Sequence, residues 1–161
     1  MIDTMNRGPI YLMGIALKKK TCNENGQSNV DCGNHWREFE KRQVAAQIPN
    51  KSGQEIYAVY YQYEGDHTKP YAYFIGCPVG ENTPTPEGLD KLVIPRSDYL
   101  IVKAKGRIPD CISSAWQKIW DAQFPRAYRY DFEVYDQRSR DWENGEIDIF
   151  LSVNTISSFP E

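Results

Sequence analysis

Apolar residues recur at two different periods along this chain, and the order in which those periods alternate is the first structural information it carries. Residues 9–19 (PIYLMGIALKK) are β-prone and give way to a polar stretch, TCNENGQSNVDCGN. Trp36, Phe39, Gln43 and Val44, with Ala46 and Ile48 beyond, then sketch a stripe at helical spacing that predicts a helix over residues 34–47, with Asn34 as its N-cap. Residues 55–62 (EIYAVYYQ) and 71–77 (YAYFIGC) are two further β-prone runs joined by the turn-forming YEGDHTKP, the pattern of an antiparallel hairpin. The segment GENTPTPEG, residues 80–88, is too rich in Gly, Pro and Thr for regular structure and reads as a connector.

Beyond the connector the order recurs. Residues 98–105 (DYLIVKAK) predict a strand, residues 110–123 (DCISSAWQKIWDAQ) a helix, and residues 130–136 with 147–153 a second hairpin. In the second helix Ile112, Ala115, Trp116 and Ile119 share a face, with Trp120 beside it and Asp110 placed to cap the N-terminus. The chain therefore reads as one α+β domain over residues 1–161, a tandem β-α-β-β repeat with halves at about 9–79 and 89–153. Laying the hairpins end to end matches Val59 to Glu133 and Val79 to Val153, each 74 residues apart, and sets Tyr61 against Tyr135.

Two such halves must cover their apolar faces on each other, which predicts a seam with a small-molecule cleft. Strand alternation places Tyr130, Phe132 and Val134 on one face, expected under the helix, and Asp131, Glu133 and Tyr135 on the other. In the last strand Ile147, Ile149, Leu151 and Val153 form the core face, leaving Asp148, Phe150 and Ser152 toward the seam. From the first half, Tyr61 and Phe74 join the candidate lining. A carboxylate among rings is costly unless paired or neutral, so Glu133 there would rise in pKa or attract a cation. Alternation alone is equally consistent with Glu133 and Asp148 on a solvated sheet face.

Composition sharpens this picture in one respect. Eleven Tyr, four Trp and six Phe in 161 residues exceed what strands and cores alone call for, and such a set suits a pocket. A formal charge of −3, with no basic run longer than Lys18-Lys19-Lys20, argues against nucleic acid as a direct partner. No apolar run is long enough for a membrane span, and the first residues lack the pattern of a secretory signal, so a cytoplasmic chain is expected. Cys22, Cys32, Cys77 and Cys111 have no C-x-x-C spacing and are expected as free thiols, with Cys22 and Cys32 the one pair whose positions leave a bridge open. His35 and His67 lack neighbours at metal-ligand spacing, so no metal or cofactor is expected.

The runs IPRSDYLIVKAKG, SSAWQKIWDAQFP, YDFEVYD and EIDIFLSV, together with EIYAVYYQYEGDHTKPYAYFIGCPV in the first half, resemble the gyrase-inhibitor-like effector-binding domains over nearly the whole chain. The resemblance is strongest to the stand-alone, integron-associated members, and extends to the drug-binding domains of AraC-type and MerR-type multidrug regulators. It implies that Glu133 lies at a pocket floor where cationic drugs are met, that Asp148 is a second acid and Phe150 a neighbouring ring, and that Trp116 and Trp120 are the helical tryptophans. Ser152 departs from the proline common at that point of relatives. The implied partner is a small organic ligand, cationic and aromatic, bound by a free effector-binding domain with no helix-turn-helix head. A homodimer or a separate regulatory protein as partner stays open.

Two other readings stay open at this point. Some gyrase-inhibitor-like proteins hydrolyse strained cyclopropane-bearing natural products with a pocket glutamate and an aromatic hydroxyl, and Glu133 with Tyr135 could serve as such a pair. A protein-interaction module would use the same fold with a filled cleft.

Overall fold

The structure, a computed structural model, describes residues 3–154. It is a mixed α+β fold built on one antiparallel eight-stranded sheet: β1 (Asp3–Arg7), β2 (Ile10–Ala16), β3 (Ile56–Tyr61), β4 (Ala72–Pro78), β5 (Asp90–Ile94), β6 (Ser97–Gly106), β7 (Tyr130–Tyr135) and β8 (Gly145–Val153). The helices are α1 (Gln27–Lys41), the single-turn α2 (Val44–Gln47) and α3 (Asp110–Asp121). Among the described residues no helix is long and apolar enough to cross a membrane.

The strand order β1-β6-β8-β7-β3-β4-β2-β5 is symmetric about the β7/β3 pair: reading outward, β8 and β6 on one side correspond to β4 and β2 on the other. The end strands are exchanged. β1, which leads into β2, pairs with β6, while β5, which leads into β6, pairs with β2. Their two short links cross at Gly8, whose φ of +122° and whose absent Cβ, which would lie 2.7 Å from Arg96 Cα, both require glycine. A second close approach is the paired Gly14 and Gly76 of β2 and β4, where a Cβ on Gly14 would fall 1.9 Å from the Ile75 carbonyl oxygen.

Both faces of the sheet are buried. Leu12, Ile94, Tyr99, Ile101, Phe132 and Phe150 pack together although their strands lie far apart in the sheet order, so the sheet curls until its ends meet. The opposite face carries the helices. Phe39 of α1 packs on Met13, Ile15, Tyr73 and Ile75, and Ala115, Trp116 and Ile119 of α3 pack on Ile147, Ile149 and Leu151. Tyr60 and Tyr135 belong to both groups and mark the seam between the helices.

Several expectations are corrected here. Helix α1 begins at Gln27, after Gly26 at φ +70°, inside the stretch that reads as a polar loop, and it is broken at Gln43 (φ +51°) before α2. Asn34 is thus an interior residue and not a cap. The helix buries only His35 and Phe39, so most of its polar residues face water and its first turns carry no apolar signal. His35 is inside the helix, its Nε2 2.8 Å from the Ile15 carbonyl. Strands β1 and β5 were absent from the sequence pattern because their burial comes mainly through backbone pairing: β1 is exposed along nearly its whole length. The faces of the second hairpin are also corrected. Phe132 and Val134 lie on the curled inner face, and it is Glu133 that pairs with Ile149 and shares its helix-covered face. With both faces buried, alternation separates the two sets without saying which one the helices cover. All four cysteines are free.

Candidate ligand-binding site

Position 133 lies in the middle of β7, paired with Ala58 of β3 on one side and Ile149 of β8 on the other. Small and aliphatic neighbours leave space above the strand, and rings fill its margins. The Glu133 carboxylate is 2% exposed and accepts three hydrogen bonds from neutral donors. Tyr60 Oη and Trp116 Nε1 both donate to Oε2, at 2.7 and 2.6 Å, and Tyr135 Oη donates to Oε1 at 2.6 Å. Among the described residues no cation pairs with it. Burial raises its carboxyl above the ordinary value, and the bonds from Tyr135, Tyr60 and Trp116 hold that rise back. Burial, with Glu133 beside them, pushes the hydroxyls of Tyr60 and Tyr135 well above the usual phenol range, so both remain donors.

The other acid on this face is treated differently. Asp131, fully buried, accepts from Arg126 Nη2 at 2.7 Å, Tyr63 Oη at 2.6 Å, and the Ser152 backbone N–H and Oγ at 2.7 and 2.9 Å. Arg126 lies 4.2 Å from the Tyr128 ring centre and 5.8 Å from that of Trp116. One acid is neutralised by an internal cation; its neighbour two residues on is not.

Above Glu133, between α1 and α3, lies a cleft of about 260 Å³ whose aromatic wall is Tyr60, Tyr63, Tyr71, Trp116 and Trp120, with His67 and Cys32 also in its lining. His67 stacks on Trp120 with ring centres 5.5 Å apart and planes 8° from parallel. Tyr60 meets Trp116 edge-on at 5.0 Å. Burial, with Glu133 and Asp31 nearby, raises the Cys32 thiol and favours its protonated form. No group of three or more His, Cys, Asp or Glu residues among the described residues is placed to hold a metal ion.

A fold of paired β-α-β-β units has known counterparts, and residues 11–153 match the family model of the Cass2 integron-associated effector binding protein. The chain belongs to that family. The integron cassette protein VCH_CASS2 of Vibrio cholerae has the same fold, with a TM-score of 0.73 at 21% identity over 95% of each chain. The structure of SAV2435 bound to tetraphenylphosphonium gives a TM-score of 0.77 at 17% identity, covering 98% of this chain and 96% of that one. In sequence, the transcriptional regulator BrlR of Pseudomonas aeruginosa is 31% identical over 91 residues, 52% of this chain and 33% of that protein. The chain thus spans about a third of the length of the curated relative it matches.

Within this effector-binding chain, the residues singled out by sequence fall into two groups. Glu133, Tyr135, Trp116 and Trp120 come together at the seam between the helices. Tyr61, Phe74 and Phe150 are packed on the opposite, inner face of the sheet, and Tyr61 stacks there on Tyr130. Asp148 is paired across the sheet with Val134 and so also faces away from Glu133; its Oδ2 takes Arg138 Nη2 at 3.0 Å. The expectation that Glu133 and Asp148 share one cleft is therefore corrected: the acid on the face of Glu133 is Asp131, and Asp131 already has its cation.

Sequence reasoning missed Tyr60, Tyr63, Tyr71 and His67. Tyr60 was within reach. The ungapped match set Tyr61 against Tyr135, whereas Tyr60 is the residue that shares the face and the function of Tyr135, so the hairpins are out of step by one residue in that strand. A one-residue slip moves every side chain to the other face of a strand.

Proposed function

We propose that this protein binds a small lipophilic cation in the aromatic cleft between α1 and α3, with Glu133 beneath the floor as its counter-ion. The observation that carries the reading is a buried carboxylate whose partners are all neutral, under rings that line an open cleft. Such a charge is stabilised by hydrogen bonds and left without an opposite charge, and a desolvated cation supplies one.

The floor rings transmit the charge. Tyr60 and Trp116 both line the cleft and both donate to Glu133, and donation to an anion makes a ring richer in electrons on its face. A cation resting on those faces gains about 0.5–2 kcal/mol per ring when desolvated. Arg126 also lines the cleft but is neutralised by Asp131, so it does not repel the guest as a free cation would. The complex of SAV2435 with tetraphenylphosphonium supports the same class of ligand for the fold.

The test is a titration of tetraphenylphosphonium into the wild-type protein and Glu133→Gln, followed by quenching of tryptophan emission. Saturable binding that weakens roughly 10- to 100-fold in the variant is expected, about 1.4–2.7 kcal/mol. An absence of saturable binding, or equal affinity for both proteins, would remove the reading.

A further inference from the structure

The Glu133 carboxylate has two sides. Oε2 is held by Tyr60 and Trp116, which line the cleft described above; Oε1 is held by Tyr135, which lines a second and larger space of about 630 Å³. Helix α1 walls this second cleft through Gly33, Trp36 and Glu40, the start of α3 through Pro109 and Ile112, and the β7–β8 connection through Trp142. Ile112 borders both spaces.

The second cleft has the same chemistry as the first. Trp36 meets Tyr135 edge-on with centres 4.8 Å apart, so the ring that holds the carboxylate from this side is itself backed by a second ring of the cleft wall. Trp142 is 60% exposed at its mouth, a large apolar surface that contributes nothing to the core. Arg37 and Arg140 stand on the wall, but so do Glu40 and Glu55, and neither acid is in an ion pair among the described residues.

We propose that this second cleft is a ligand compartment in its own right, for an aromatic cation, and that the two compartments share Glu133 as counter-ion, so that filling either weakens the other. The inference rests on the cation-binding reading of the first cleft. One carboxylate neutralises one positive charge, and a second cation on its far side meets both a partner already satisfied and a like charge a short distance away in a poorly screened interior. Reciprocity then requires the weakening to be equal in both directions.

Two blocking variants of the full chain separate the compartments. A Cβ at Gly33 would meet nothing nearer than Arg37 Nη1 at 3.9 Å, so a side chain can start there without meeting backbone, and Gly33→Phe is placed to fill the second cleft. Ser113, exposed on α3, lines only the first, and Ser113→Phe fills that one. Calorimetric titration with tetraphenylphosphonium is expected to show two steps in the wild type, the second about 10-fold weaker, within the usual span of coupling between sites. Gly33→Phe should keep the tighter step alone. Ser113→Phe should keep a single step tighter than the wild type's second, and Glu133→Gln should weaken both. A single wild-type step unaffected by Gly33→Phe overturns the second compartment. Two steps whose affinities do not change when the other compartment is blocked overturn the sharing of Glu133. Absence of any binding to the wild type removes the first-cleft reading, and this inference with it, which the single-step outcome does not.

Discussion

The indole N–H of Trp116 donates to Oε2 of Glu133 at 2.6 Å, although the same ring is packed in the core beneath α3. One side chain thereby ties the position of a helix to the charge state of a buried acid. Any guest that presses on the cleft face of that indole acts on the carboxylate behind it. Under the proposed function, that contact is the route by which an acid only 2% exposed would govern what the cleft accepts.

Charge and shape are separable by ligand choice. Tetraphenylphosphonium and the neutral triphenylphosphine oxide present similar rings, but only the first has a charge for Glu133 to balance. The wild type should prefer the cation by roughly 10- to 100-fold, about 1.4–2.7 kcal/mol, and Glu133→Gln should lose most of that preference while its affinity for the neutral compound changes little. Competition against a fluorescent cation measures both. Equal loss for both compounds in the variant would assign Glu133 to holding the cleft's shape and not to charge.

The pH dependence has a definite sign. Burial raises Glu133 above the ordinary carboxylate value, so between that value and the raised one the folded chain holds a proton that the unfolded chain has released. Its contribution to stability is then fullest below the ordinary carboxylate range and is lost as pH rises through the raised value. Cation affinity runs the other way, because only the ionised form is a counter-ion. Affinity should climb through the same window, with a proton released to buffer that calorimetry in two buffers of different ionisation heat will count. Asp136 and Glu146, held low mainly by their bonds to Arg138 and Lys105, contribute the opposite stability trend, which persists in Glu133→Gln. A pH profile of affinity that survives unchanged in that variant would rule out Glu133 as its source.

The element order and the identity of the buried acid were legible in the sequence because they depend on local pattern. Period-2 runs and one amphipathic helix mark six strands and α3 directly, and the acid in FEVY stands out because nothing apolar replaces it. What was not legible depends on long-range closure. A sheet that curls on itself buries both faces, so Phe150 and Phe74 look as suited to a pocket as Tyr60 does, and only the registers of Glu133 with Ile149 and Ala58 decide between them. His67 comes from a hairpin turn whose composition says only that it is polar, and it reaches the site by stacking on Trp120.

That division can be tested on two residues that sequence treated alike. Trp120 lines the cleft, whereas Asp148 lies on the other face beside Arg138, an ion pair with side chains 19% and 32% exposed. Trp120→Ala should weaken tetraphenylphosphonium binding by roughly 3- to 30-fold, the value of one desolvated ring face. Asp148→Asn should leave affinity within about twofold and cost at most about 1 kcal/mol of stability, as partly solvated pairs do. A large binding defect in Asp148→Asn, with an unchanged melting curve, would contradict the face assignment.

Arg126 and Asp131 give the opposite case, a charge whose partner is internal. Their side chains are 5% and 0% exposed, so Arg126→Met strands a carboxylate that retains only Tyr63 and Ser152 as donors. Urea denaturation should show a loss of about 3–5 kcal/mol, typical of an acid left buried without its cation. Adding Asp131→Asn should recover part of it, because the second change removes the charge that the first left uncompensated. At the same time Arg126→Met takes one positive charge from the cleft and leaves that of Asp131 uncompensated, so the folded protein should bind tetraphenylphosphonium more tightly than the wild type does. Lower stability with higher cation affinity is a pairing that partial unfolding cannot imitate. A variant that loses both would show that Arg126 shapes the cleft and that its charge is not felt there.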